Sequence, residues 1–166
     1  MFFLCLVPFG FLGWEAIKQD LGAKPVETIA RCTGDWTLRF LLITLAVTPL
    51  RQLFGWSKLI RYRRMLGLFA FFYACLHCLT YFVLDLSFML EDVIEDVLKR
   101  PYITIGFLAF LMLVPLAVTS TNAMMRTLGS NWARLHKLIY VIAALGVFHY
   151  LWQVKDGILE PVLYAA

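Results

Sequence analysis

The chain has 166 residues, of which 61% are hydrophobic, 16% aromatic and only 16% charged, and its mean hydropathy is +0.77. This composition excludes an ordinary soluble domain and indicates an integral membrane protein. The net charge of +4 does not indicate nucleic-acid binding, because the basic residues cluster in short loops between apolar runs.

Five apolar runs are candidate membrane spans, the shorter ones being tolerated through local thinning of the bilayer. Pro49 closes the second run, Pro101 opens the fourth at a first helical position, and Gly129-Ser130-Asn131 offers an N-cap for the fifth. A further apolar run begins at Pro161, so a sixth helix is expected to be missing at the C-terminus. The runs cover residues 1–14, 37–50, 65–84, 102–118 and 135–152.

The sequence therefore predicts an all-α integral membrane helical bundle with about five transmembrane helices. No internal repeat, low-complexity tract or linker is visible in the sequence, which favours a single domain over residues 1–166.

The distribution of charges predicts the orientation of these spans. The loops after the second and fourth spans contain basic residues and no acids, so they should face the cytoplasm. The acids lie in the other loops, where residues 91–98 have apolar positions at helical spacing and are predicted to form a short amphipathic helix on the outer surface. The basic loop residues are Arg51, Lys58, Arg61, Arg63, Arg64, Arg126 and Arg134.

Two of the three histidines, His77 and His149, lie inside apolar runs. At about 1.5 Å per residue from the basic loops, they lie roughly 20 Å and 22 Å into the membrane. Polar rings in hydrocarbon are costly and usually functional, and two parallel helices with histidines at one depth predict bis-imidazole ligation of a b-type haem. The alternative is that each imidazole only hydrogen-bonds a neighbouring helix. The expected apolar walls are Phe69, Phe72, Tyr73, Tyr81, Ile142 and Leu145.

His136 differs from the other two histidines, because it lies near the cytoplasmic end of the fifth span. It is a candidate ligand of a second, inner haem, but the equivalent depth on the third span holds Arg63 and Arg64. Arg63 precedes His77 by fourteen residues, nearly the same helical face, and could hold a haem propionate, a flavin phosphate or a quinone oxygen. The alternative for both arginines is that they only anchor the topology.

Other chemistries find little support in the sequence. Cys75-Leu76-His77-Cys78 lacks the histidine directly after the second cysteine that covalent haem attachment needs. No phosphate-binding loop, dinucleotide fingerprint or nucleophile elbow is present. The rival functions are a small transporter or proton pathway, which should carry acids near the bilayer midplane, and a cofactor-free scaffold.

Several runs of the chain closely resemble the MsrQ (YedZ) family, within the ferric reductase-like transmembrane superfamily. The resemblance follows the whole chain in order. The runs are Thr48-Pro49-Leu50, Arg63-Arg64-Met65-Leu66-Gly67, Leu76-His77, Lys99-Arg100-Pro101-Tyr102-Ile103-Thr104, Leu116-Ala117-Val118-Thr119-Ser120-Thr121, Leu135-His136 and His149-Tyr150-Leu151-Trp152-Gln153-Val154-Lys155.

This resemblance implies a haem b subunit of the bacterial inner membrane that transfers electrons without being the catalytic subunit. Electrons would come from the quinone pool or a cytosolic flavin reductase and pass to a periplasmic molybdopterin subunit that reduces methionine sulfoxide in proteins. His77 and His149 would then be the haem ligands, and His136 and Arg63 would serve an inner haem or flavin site. The resemblance also implies FMN, for which the sequence has no clear motif.

Overall fold

Helices are the only regular elements among residues 1–85 and 99–165, which are the residues that the computed structural model describes. The all-α prediction is therefore confirmed. The predicted amphipathic helix over residues 91–98 lies outside the described residues. The helices are α1 (Phe2–Ile17), α2 (Pro25–Phe54), α3 (Ile60–Thr80), α4 (Pro101–Val118), α5 (Asn122–Leu128), α6 (Ser130–His136) and α7 (Leu138–Ala165).

The described residues fall into two compact units, residues 1–85 and residues 99–165. In the first unit α2 and α3 form an antiparallel hairpin, against which α1 packs. A 3-10 turn, Ser57–Leu59, precedes α3, and a π-helical turn, Tyr81–Asp85, follows it. In the second unit α4 packs along α7, and the short helices α5 and α6 connect them.

Four helical segments of the described chain are long and apolar enough to cross a bilayer. They match the second to fifth predicted spans and make the chain a multi-pass membrane protein. The first predicted span corresponds to α1, a shorter apolar helix of 16 residues. At 1.5 Å per residue α1 is about 24 Å long, less than the hydrocarbon thickness of about 30 Å. The four segments are Pro25–Phe54, Ile60–Val83, Pro101–Val118 and Ser130–Gln153.

The helix that contains the second predicted span extends beyond it at both ends. Helix α2 begins with Pro25 in its first turn, twelve residues before the predicted start, because charged side chains pair along one side of the helix. Glu27 accepts a hydrogen bond from Arg31 at 2.6 Å, and Asp35 lies 3.6 Å from Arg39. Pro49 lies inside α2, since a proline removes only one backbone donor, and the helix ends where Gly55 adopts a left-handed φ of 68°.

The helices that contain the last predicted span, residues 135–152, also extend beyond it at both ends. Helix α6 begins at Ser130 as expected, but its N-cap residue, Gly129, provides no side-chain hydrogen bond. The side-chain cap lies earlier, where the Thr121 hydroxyl accepts a hydrogen bond from the Met124 N–H at 3.2 Å and starts α5. The apolar tail from Pro161 continues α7 as far as Ala165.

An aromatic cluster forms the core of the first unit. Tyr73 of α3 stacks on Phe40 of α2 with ring centroids 5.3 Å apart, and Phe69 lies 5.9 Å from the same ring. The Tyr73 hydroxyl donates to the Cys5 carbonyl at 2.8 Å and accepts from the Phe9 N–H at 3.1 Å. These two backbone groups are four residues apart in α1, on either side of Pro8. The hydroxyl therefore bridges the α1 backbone around its proline. Tyr73 and Phe69, expected as haem walls, are thus buried within this core.

Replacing Tyr73 by Phe should destabilise the first unit. The ring would still fill the core, but the buried Cys5 carbonyl and the part-buried Phe9 N–H would lose their shared partner, which costs about 1–2 kcal/mol of unfolding free energy. Thermal unfolding in detergent measures the change. Tyr140→Phe is the control, because Tyr140 is 62% exposed and should tolerate the loss of its hydroxyl. Equal stability of the two variants would contradict this role for Tyr73.

Candidate functional site

His77 is held at the end of α3 by the neighbouring helix α2. Its Nδ1 lies 2.9 Å from the carbonyl oxygen of Ala30, and the side chain is half-buried. The ring lies over Gly34, one turn further along α2, where a Cβ would be only 3.2 Å from both Nδ1 and Cε1. Packing between α2 and α3 therefore fixes the imidazole against a helix backbone.

His149 is held in the same way in the second unit. Its Nδ1 lies 2.7 Å from the carbonyl oxygen of Tyr102 on α4, and its side chain is also half-buried. The ring lies over Gly106, where a Cβ would be 2.8 Å from Cε1 and 2.9 Å from Nδ1. The arrangement repeats that of His77: a carbonyl, a glycine four residues later and a histidine 47 residues after the carbonyl.

The carbonyl partners determine which nitrogen of each imidazole carries the proton. A carbonyl oxygen only accepts, so the hydrogen bonds require a proton on Nδ1 of both His77 and His149. In a neutral imidazole the lone pair is then on Nε2. Neutral imidazole with its N–H bonded to a carbonyl is the usual state of a histidine that ligates a metal, because the bond fixes the ring and makes the other nitrogen more basic.

His136 has the opposite arrangement. Its Nε2 lies 3.1 Å from the Thr119 hydroxyl oxygen, and that hydroxyl lies 2.6 Å from the Pro115 carbonyl. A hydroxyl has one proton, which the shorter contact assigns to Pro115, so Nε2 of His136 is the donor to Thr119. Trp132 stacks on the imidazole at 4.0 Å and donates its indole N–H to the Thr119 carbonyl at 2.9 Å.

The two candidate arginines lie at the other end of α3 from His77. Arg63 is half-buried and Arg64 is exposed. Fourteen residues separate Arg63 from His77, a rise of about 21 Å along the helix. The structure therefore keeps these arginines apart from the His77 imidazole. Among the described residues no group of three or more His, Cys, Asp and Glu side chains could hold a bare metal ion.

The residues that contact the three imidazoles were not predicted from the sequence. These are the glycines beneath the rings, Gly34 and Gly106, and the residues Thr119 and Trp132 around His136. One signal was present, since each glycine precedes its histidine by the same number of residues. A spacing of this length predicts no contact until it is known which helices pack together.

Comparisons with known proteins agree with this architecture. A family model described as ferric reductase like transmembrane component matches residues 33–147, which include His77 and end just before His149. The protein-methionine-sulfoxide reductase heme-binding subunit MsrQ of Herminiimonas arsenicoxydans is 53% identical over 99% of this chain and 77% of its own length. The proteins with the same name from Xanthomonas oryzae pv. oryzae strain MAFF 311018 and Xanthomonas euvesicatoria pv. vesicatoria strain 85-10 are each 55% identical over 96% of this chain and 76% of their own lengths. No solved structure matches the chain.

The helical membrane architecture and the extent of the family match define a ferric reductase-like transmembrane protein. Within that class, identity above 50% over nearly the whole chain separates it from more distant members. The chain belongs to the MsrQ family.

The hydrogen bonds predict different tautomers for the three histidines. With 15N-labelled histidine in the haem-free protein at alkaline pH, NMR should report the proton on Nδ1 for His77 and His149 and on Nε2 for His136. Single His→Gln variants assign the signals. Finding His136 in the same tautomer as the other two would contradict the assignment made from Thr119.

Proposed function

We propose that this protein is the haem-binding membrane subunit of a methionine sulfoxide reductase system and that it transfers electrons across the membrane. The observation that carries the proposal is the matched contact of His77 and His149, whose Nδ1 atoms lie 2.9 Å and 2.7 Å from carbonyl oxygens of a neighbouring helix. The relatives are heme-binding subunits by name, which supports the proposal independently.

The chemistry of the two side chains suits haem, whose iron His77 and His149 would hold. Both imidazoles are half-buried on membrane-spanning helices, and each has its Nδ1 within hydrogen-bond distance of a carbonyl of the adjacent helix. When bound, haem iron supplies one-electron chemistry by alternating between the ferric and ferrous states. The chain itself would bind the iron through Nε2 of His77 and His149 and restrict motion of the two rings, which keeps reorganisation on electron transfer small.

The hydrogen bond that an imidazole makes to a helix carbonyl is also what a purely structural histidine would make. Two features favour ligation. The same bond recurs with the same glycine beside it in both units, and the nitrogen that faces away from the carbonyl is in each case the one suited to a metal.

A second, inner cofactor site would involve Arg63, Arg64 and His136. The guanidinium groups are suited to a haem propionate, a flavin phosphate or a quinone oxygen. For His136, the Nε2 bond to Thr119 and the stack on Trp132 favour a polar contact with a quinone or FMN over ligation of a second haem iron. The site would lie on the cytoplasmic side, because the basic loops that contain or adjoin these residues lack acids.

We propose the bacterial inner membrane as the location and a periplasmic molybdopterin-containing subunit as the electron acceptor. The electron donor would be the quinone pool or a cytosolic flavin reductase. The partner subunit would break the sulfur–oxygen bond of methionine sulfoxide, so this chain would need no catalytic group for that step. The protein would be an electron-transfer subunit within an oxidoreductase system.

Replacing His77 or His149 by Ala should remove most of the b-type haem from the purified protein. Each change deletes one axial ligand, and a haem with a single strong ligand is retained poorly and loses its low-spin spectrum. A reduced-minus-oxidised spectrum with pyridine haemochrome quantitation measures haem type and haem per chain together.

His136→Ala is the matched control, because it removes the third imidazole of the chain. It should retain the low-spin spectrum and the haem content of the unaltered protein. A full low-spin spectrum in either His77→Ala or His149→Ala would contradict the ligand assignment. A colourless unaltered protein would instead favour a cofactor-free scaffold.

A further inference from the structure

Gly34 and Gly106 have a common position relative to the two deep histidines. In an α-helix the carbonyl of residue i accepts from the N–H of residue i+4, and the Cβ of residue i+4 tilts back toward that carbonyl. A side chain at i+4 therefore partly covers the carbonyl. Gly34 is the i+4 residue of Ala30, and Gly106 is the i+4 residue of Tyr102.

The distances indicate that a larger residue would collide with the bonded imidazole. An added Cβ at Gly106 would be 2.8 Å from Cε1 of His149, and one at Gly34 would be 3.2 Å from Cε1 of His77. Non-bonded carbon atoms have their optimal separation at about 3.5–4.0 Å. The ring would have to move away, and with it Nδ1 would leave the carbonyl oxygen.

We propose that Gly34 and Gly106 are positioning residues that seat the two imidazoles on helix carbonyls and thereby determine ligand orientation and basicity. Each helix pair contains the same seat, formed by a carbonyl, a glycine one turn later and a histidine from the partner helix. The expected effect on the midpoint potential rests on the proposed haem function. The contacts that form the seat involve residues of this chain alone.

The bond to the carbonyl has a definite electronic effect. A proton shared between Nδ1 and a carbonyl oxygen makes the imidazole a stronger donor through Nε2, which stabilises ferric over ferrous iron. Loss of the seat should therefore raise the midpoint potential of any haem that remains bound. A residue that only maintained helix packing would have no reason to change the potential in this direction.

The test compares Gly106→Ala and Gly34→Ala with Gly67→Ala. Gly67 lies on α3, and an added Cβ there would be 3.7 Å from a Thr44 methyl carbon, an ordinary contact. We expect about 10-fold weaker haem retention for Gly106→Ala, the usual scale for loss of a ligand's hydrogen-bond partner. Gly34→Ala should have the smaller effect because its gap is wider, and both should raise the midpoint potential. Gly67→Ala should match the unaltered protein.

A second readout uses the haem-free protein. In 15N NMR, Gly106→Ala should alter the Nδ1 signal of His149 and leave that of His77 unchanged, and Gly34→Ala should do the converse. If Gly106→Ala does not accumulate in the membrane, Gly34→Ala provides both measurements.

The outcomes separate the two proposals. Haem content, potential and NMR signals in both variants equal to those of Gly67→Ala would overturn the positioning role, even if His77 and His149 prove to be ligands. A colourless unaltered protein would overturn the haem proposal, while selective NMR changes would still support the seats.

Discussion

The structure depends on the rule that polar groups within a bilayer must find partners inside the protein, since hydrocarbon offers none. Helices satisfy their own backbone in this way, but an imidazole adds two nitrogens that need partners. His77 and His149 satisfy one nitrogen with the carbonyls of Ala30 and Tyr102, each of which belongs to a neighbouring helix. The packing of the helices therefore determines which nitrogen of each ring carries the proton.

This coupling divides the histidines into two chemical types. His77 and His149 carry the proton on Nδ1 because their partners are carbonyls, whereas His136 donates through Nε2 to Thr119. The same residue type thus contacts its partner through Nδ1 in two places and through Nε2 in a third. The distinction arises from which backbone or side-chain group lies opposite each ring.

The two units contain the same contact between a carbonyl, a glycine and a histidine, but the helices around it differ. In the first, α1 is fastened to the α2–α3 hairpin by Tyr73 and an aromatic cluster; in the second, short helices α5 and α6 connect the paired helices. The seat formed by a carbonyl, a glycine and a histidine recurs in both, although the sequence shows no repeat.

The sequence alone identified the membrane class and the four long spans, because the hydropathy of an apolar run is a local property of the chain. It misplaced the start of α2, where ion pairs between side chains one turn apart extend a helix into a polar segment. Only the tertiary structure showed which groups the imidazoles contact and that the rings lie over Gly34 and Gly106. These contacts join helices that are distant in sequence. The reason for a glycine at such a position can be seen only when the group packed against it is known.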